Sequence, residues 1–445
     1  MPNAVTAKDF LAHIQDLAPA IEGLRLGEYS DLIDDSGHQY IDIVMEGGGT
    51  LGLALLGYLH VLEQVGLRFI GIGGTSAGAI SAIALAAANR PSEPRVDRLI
   101  EALANMPMAD FVDGRKEGDR DAMSALQTWL DDDSHTLGKI WKAARVLDNF
   151  NQIHALNRGE VFHRWMDQLL RDMNGGQPLT AQQLRVRMND LPTLLVRDSA
   201  DASDFHHQPD APLWEVINGT RVLLPRPKPD QLCVVAADIS TETKVCLPRM
   251  APMYWHQPDQ VNVADFARAS MSIPGFFAPF KIKSLPADEA RPLWRCQEWP
   301  DRCYEGDFLP EVHQLVDGGV LSNFPIDAFH VKTRVPLRPT LGVKLQWGDH
   351  KHDIPGVLKV FSQSFNTARH AMDAEFLMQN PDYSKLVAYI DTEDISWLDF
   401  AMNRETKLRL FRMGAVTAVG FLRGFNWRDY KRIRRSLAEA YTARA

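Results

Sequence analysis

Cysteine is scarce in this chain. Four residues in 445 (Cys233, Cys246, Cys296, Cys303) are too few for a disulfide scaffold. The spacing of Cys296 and Cys303 matches none of the common zinc patterns, so a loop disulfide or a plain pair of thiols is expected there. Positive charge is in deficit: 48 Lys and Arg stand against 57 Asp and Glu, a formal −9. That argues against a nucleic-acid-coating protein. An N-terminal apolar leader is missing, since MPNAVTAKDFLAHIQDLAP carries Lys8 and no long hydrophobic run; no secretory signal is expected, and the reading is a cytoplasmic protein. Internal repeats and low-complexity tracts are missing too. Residues 69–88 carry no charge and are numerous enough to cross a bilayer. Gly71, Gly73, Gly74 and Gly78, with Thr75 and Ser76 among them, instead predict a short strand, a glycine turn and a small-residue helix, so no transmembrane helix is expected.

What is present is ordinary for a folded globular chain: 45% hydrophobic and 24% charged residues. Residues 1–38 read as a helical lead-in. Residues 40–45 and 68–73 read as strands, 52–64 and 77–88 as the helices that follow them. Two strand–turn–helix units in fifty residues predict an α/β fold with a mostly parallel sheet. A main domain over 39–400 is expected, with insertions near 104–158, 198–230 and 284–311. In the insertions, Asp131–Asp133 and the His206-His207 pair beside Asp204 and Asp210 read as solvated surface. Residues 161–173 form an amphipathic helix with Phe162, Trp165, Met166, Leu169 and Met173 on one stripe. Further strands are expected at 232–236, 244–247, 315–317, 340–346 and 385–390, and helices at 357–372 and from Thr406. Residues 401–445 form a basic helical segment, with eleven Lys and Arg against three acids between 404 and 444. It reads either as a solvated terminal helix or as a surface that attracts anionic lipid.

The chemistry concentrates at 47–78. Gly74-Thr75-Ser76-Ala77-Gly78 is a G-x-S-x-G match between a strand and an Ala-rich helix, which exposes a serine hydroxyl at a sharp turn. Gly47-Gly48-Gly49 sits between the preceding strand and helix, where backbone N–H groups can converge on an anion; in acyl transfer that anion is the tetrahedral oxyanion. Two other readings fit the same glycines. Gly47, Gly49 and Gly52 spell a dinucleotide fingerprint, but the next strand ends without the acid that holds a ribose. The glycines could also serve tight turns alone. A nucleophilic serine needs a base. Asp317, at a strand end before Gly318 and Gly319, is one candidate; a downstream histidine (His330, His350, His352 or His370) completing a triad is the other.

Four segments in order resemble the patatin-like phospholipase family: MEGGGTLGLALLGYLHVLEQ, GIGGTSAGAISAIALA, RASMSIPGFFAPF and VDGGVLSNFPID. CVVAADISTETKVCLP, NRGEVFHRWMDQLL and, more weakly, TKLRLFRMGAVTAVGFL are similar to other family segments. The resemblance implies a three-layer α/β/α sandwich and a Ser–Asp dyad without histidine. Ser76 would be the nucleophile, Asp317 the base, and Gly47, Gly48 and Gly49 the oxyanion hole, with Gly52, Gly74, Gly78, Gly318 and Gly319 supporting the motifs. The implied reaction is hydrolysis of fatty-acyl esters of phospholipids, lysophospholipids or neutral lipids, with no metal or cofactor, at a membrane or micelle surface. Nucleic acid is not an expected partner. Leu51 stands where the family usually has Arg or Lys, which bears on head-group preference. A histidine-triad esterase on soluble esters and a non-catalytic lipid-binding protein on the same fold are the competing expectations.

Overall fold

The computed structural model describes residues 5–104, 106–111, 155–200, 214–224, 231–295, 309–329, 331, 333–346, 378–392, 395 and 402–443. Strands β2 (Gln39–Met45), β3 (Leu67–Thr75) and β8 (Leu232–Asp238) are buried at every position. Such unbroken burial means cover on both faces of the strand, as in a sheet carrying crossover helices. With β13 (Thr340–Gln346) and β14 (Val387–Asp391) they form a parallel centre in the order β14-β13-β2-β3-β8.

The flanks are antiparallel. On one side β8 pairs with β9 (Thr243–Leu247) and β12 (Val312–Asp317), and β12 with β11 (Phe280–Lys283). On the other, β2 meets β1 (Leu32–Ile33), followed by β5 (Leu195–Val196), β7 (Thr220–Leu223) and β6 (Trp214–Ile217). A mostly parallel sheet therefore describes the centre only; antiparallel pairings outnumber parallel ones among the described residues. The physical reason is connection length: parallel neighbours need a crossover, whereas adjacent hairpin strands do not. The β6–β7 hairpin lies inside a segment that reads as an excursion. Its turn is Asn218-Gly219, both at positive φ, the backbone that a two-residue hairpin turn requires. Two further strands, β4 (Ala155–Asn157) and β10 (Gly275–Phe277), form a small parallel sheet of their own.

Eleven helices are seen among the described residues. The lead-in supplies α1 (Ala7–His13), closed by a Thr6–Asp9 capping box, and α2 (Ala18–Leu24). Then come α3 (Gly52–Gln64), α4 (Ala77–Ala88), α5 (Val96–Ala104) and α6 (Glu160–Asp172). They are followed by α7 (Ala181–Asn189), α8 (Val263–Ser270) and α9 (Ala287–Arg295). The chain closes with α10 (Arg404–Gly424) and α11 (Trp427–Thr442). Residues 69–88 resolve into the end of β3, a turn and α4, and no described helix is long and apolar enough to cross a membrane. Trp294 on α9 is buried in the core and stacks on His313 at 5.9 Å. Cys296, Cys303, Trp299, Asp131–Asp133, His206-His207 and the helix expected at 357–372 lie outside the described residues.

Candidate active site

The strand β3 ends at Thr75 and α4 begins at Ala77, leaving Ser76 to make the turn at φ 54°, ψ −121°. A non-glycine residue held there stores strain, and the surroundings must impose it. They do so by close approach: a Cβ on Gly74 would overlap the Gly78 carbonyl, and one on Gly78 would overlap the Met45 carbonyl. The G-x-S-x-G spacing is thus the condition for strand and helix to meet this closely. The serine is more enclosed than its motif suggests, at 5% exposure. The end of α8 lies over it: Ser76 N–H donates to Ser270 Oγ at 3.0 Å, and Ser76 Oγ–H donates to Met271 Sδ at 3.3 Å.

Asp317 reaches the same place through register. Thr75 of β3 pairs with Val235 of β8, and Asp317 of β12 pairs with the next residue, Ala236. Across those rungs β9 occupies the other edge of β8, with Val235 facing Cys246 and Ala236 facing Val245. So β3, parallel to β8, and β12, antiparallel to it, share one edge and run toward each other. Their C-terminal ends meet, which brings the Ser76 turn beside Asp317. The carboxylate Oδ1 accepts the Gly319 N–H at 2.7 Å, and the Asp317 N–H donates to Ser272 O at 2.9 Å. Asp317 is also 5% exposed.

Residues Ser270, Met271 and Ser272 therefore touch both candidates, two contacts to Ser76 and one to Asp317. The sequence marked them only as part of RASMSIPG. Arg268, one turn back, donates to the carbonyls of Arg158 and Ala278, which fixes the end of α8 against the small β4–β10 sheet.

Gly47 N–H is occupied, donating to Asn323 O at 3.1 Å, while Asn323 Nδ2 donates back to Gly47 O at 3.0 Å. The turn still lies against the elbow, since a Cβ on Gly47 would be 3.0 Å from Ser76 Cβ. Gly48 and Gly49 are half-buried, and their N–H groups donate to no acceptor among the described residues. The same holds for Ala77 N–H, the first of α4, which the sequence reading passed over. Ser322 O accepts from Thr75 Oγ1 at 2.9 Å, so the loop after Asp317 clamps the glycine turn and the elbow together. Glu46, just before the turn, is buried; it accepts the Leu345 N–H at 2.7 Å and meets Lys344 Nζ at 3.1 Å. Leu51 is fully buried in the core, where a charge would need a partner.

Of the histidines considered as triad members, His330, His350, His352 and His370 lie outside the described residues. His313, on β12, belongs to a separate buried network: its Nδ1 lies 2.7 Å from Asp238 Oδ2, which also accepts from Thr241 Oγ1 at 2.8 Å. Among the described residues no three His, Cys, Asp or Glu side chains are grouped to share a metal ion.

Comparison with known proteins places the chain in a family. A family model described as Patatin-like phospholipase matches residues 43–330, a span that contains the elbow, the glycine turn and Asp317. The chain is 27% identical over 395 residues to the uncharacterized protein YqhO of Bacillus subtilis (strain 168), covering 87% of this chain and all of that one. Among solved structures, VipD from Legionella pneumophila aligns at 17% identity and a TM-score of 0.38, over 89% of this chain and 70% of its own.

Proposed function

The chain belongs to the patatin-like phospholipase family, and from that premise we propose that it is a lipid acyl hydrolase of the phospholipase A or lysophospholipase type. On this reading Asp317 accepts the proton of Ser76 as Oγ attacks the ester carbonyl. The N–H groups of Gly48 and Gly49 hold the oxyanion, while the Gly47 N–H donates to Asn323 O and fixes the turn. Collapse of the tetrahedral adduct expels the alcohol, which takes the proton, and leaves an acyl-serine. Asp317 then accepts a proton from water as it attacks the acyl carbonyl, and fatty acid leaves. Phospholipid or lysophospholipid is the substrate, met by peripheral contact with a membrane or micelle. The helices on the two faces of the central sheet are read as the outer layers of a three-layer sandwich.

The observation that carries the reading is the meeting of β3 and β12 end to end along one edge of β8, which supports Ser76 and Asp317 acting as a pair. The test is acyl release from defined phospholipids and lysophospholipids. Ser76→Ala is expected to lose about 10⁶ in kcat, the scale seen when a nucleophile is removed. Asp317→Asn is expected to be similarly inactive while remaining folded, and a fluorophosphonate probe should label wild type at Ser76. Hydrolysis that survives Ser76→Ala would overturn the proposal.

A further inference from the structure

Two side chains outside the active site stand in a reactive arrangement. Cys233 on β8 and Cys246 on β9 are both free thiols. Cys246 lies directly opposite Val235, and Cys233 is two residues before Val235. They therefore share one face of the sheet as diagonal neighbours of an antiparallel pair. On the opposite edge of β8, the residue beside Cys233 is Gly73, which projects no side chain that would hold Cys233 away from its partner. Cys233 is buried and Cys246 half-buried. The charged groups facing the pair are Lys244, Arg249 and Asp327, and Asp327 meets Lys244 Nζ at 3.5 Å. The neighbouring Cys233 thiol, then Lys244 and Arg249, hold Cys246 below the usual thiol range; the Cys246 thiol beside it and burial push Cys233 up. The half-buried thiol is thus the one inclined toward the thiolate and the buried thiol the one inclined to stay protonated.

We propose that Cys233 and Cys246 form a dithiol–disulfide site oxidised by a low-molecular-weight disulfide such as oxidised glutathione. The Cys246 thiolate attacks one sulfur of the oxidant, making a mixed disulfide and expelling one glutathione thiolate. Cys233 gives its proton to solvent, and its sulfur displaces the second glutathione from Cys246. Two protein thiols are oxidised and one disulfide is reduced to two thiols. The bridge would tie β9 to the strand that aligns both halves of the active site. Val235 O accepts the Ser270 hydroxyl that in turn accepts the Ser76 N–H, so the cross-link closes one relay from the elbow.

The experiment uses the full chain carrying Cys296→Ser and Cys303→Ser, treated in the folded state with oxidised glutathione and then mapped by peptide mass spectrometry. Both remaining thiols should disappear, the peptides holding Cys233 and Cys246 should be joined, and dithiothreitol should release them. With Cys233→Ser added, the reaction should stop as a mixed disulfide on Cys246. The same map of the unsubstituted protein reads the same bond should the serine variant fail to fold. Survival of both thiols, or a wild-type pair that stops at glutathionylated Cys246, would show that the two sulfurs cannot meet and would overturn the proposal.

Discussion

At the residue scale the side chain that covers the Ser76 hydroxyl is Met271. Its thioether receives the Ser76 hydroxyl, a weak interaction with a flexible, unbranched side chain that can be displaced at small cost. An ester that reaches Ser76 must push it aside. Met271→Ala should therefore speed fluorophosphonate labelling of Ser76 while costing about 2–5 kcal/mol of stability through the cavity left in the core. Labelling that is unchanged or slower would show that Met271 does not guard the hydroxyl. Ser270 acts differently, because it fixes the strained elbow by accepting from Ser76 N–H and donating to Val235 O. Ser270→Ala should cost about 1–3 kcal/mol by leaving two buried groups unpaired. On the proposed mechanism the expected kinetic signature is a lower kcat for acyl release with KM little changed, since only the alignment of Ser76 is affected.

At the element scale two glycines decide how the molecule closes. A Cβ on Gly57 of α3 would overlap the Phe411 carbonyl, and a Cβ on Gly414 of α10 would overlap the Ala54 carbonyl. These helices touch backbone to backbone, and α3 is the helix that leaves the glycine turn. Gly414→Ala forces them apart. The expected loss is at least about 3 kcal/mol, the upper part of the usual overpacking range, because backbone cannot yield as a side chain can. A urea midpoint equal to wild type would show that α10 can shift freely. The contrast between local and distant signals is clear here too. The helices at Gly52–Gln64 and Ala77–Ala88 were readable because glycine turns and small apolar runs act locally. The Asn218-Gly219 hairpin carried an equally local signal, obscured by the Pro- and Asp-rich residues around it.

At the scale of the whole molecule, the basic C-terminal segment is paired with the acidic N-terminus. Arg404 meets Asp9, Arg412 meets Asp16, Arg428 meets Glu28 and Lys431 meets Asp31, while Arg434 meets Asp382. The Lys431–Asp31 and Arg434–Asp382 pairs are buried, as is Trp427. Five of its basic side chains thus pair with acids outside the segment. Deleting residues 425–445 should lower the melting temperature sharply, because each buried carboxylate left unpaired costs about 3–5 kcal/mol; a truncated protein melting like wild type would count against this. The outer pairs set a pH dependence. Hydrogen bonds from Arg412 hold the Asp16 carboxyl below its ordinary range, and those from Thr6 and Arg404 do so for Asp9. A depressed folded-state carboxylate stabilises fully above its unfolded pKa, near 4, and the contribution is lost as pH falls through the folded value. Hydrogen exchange should thus show α1 and the start of α10 loosening together below about pH 4, before the central sheet opens.

The sequence by itself determined the local devices: the elbow glycines, the turn at 47–49, the strand-end aspartate, and the helices and strands that carry them. Backbone conformation and hydrophobic periodicity act over a few residues, so composition and spacing suffice to read them. Only the tertiary structure decided which devices meet. The head-on alignment of β3 and β12 depends on β8, whose register with each is invisible in any one segment. The engagement of the Gly47 N–H depends on Asn323, and the covering of Ser76 on Met271. These contacts join residues far apart in the chain, and they are fixed by packing and hydrogen-bond satisfaction across the whole sheet rather than by any local preference.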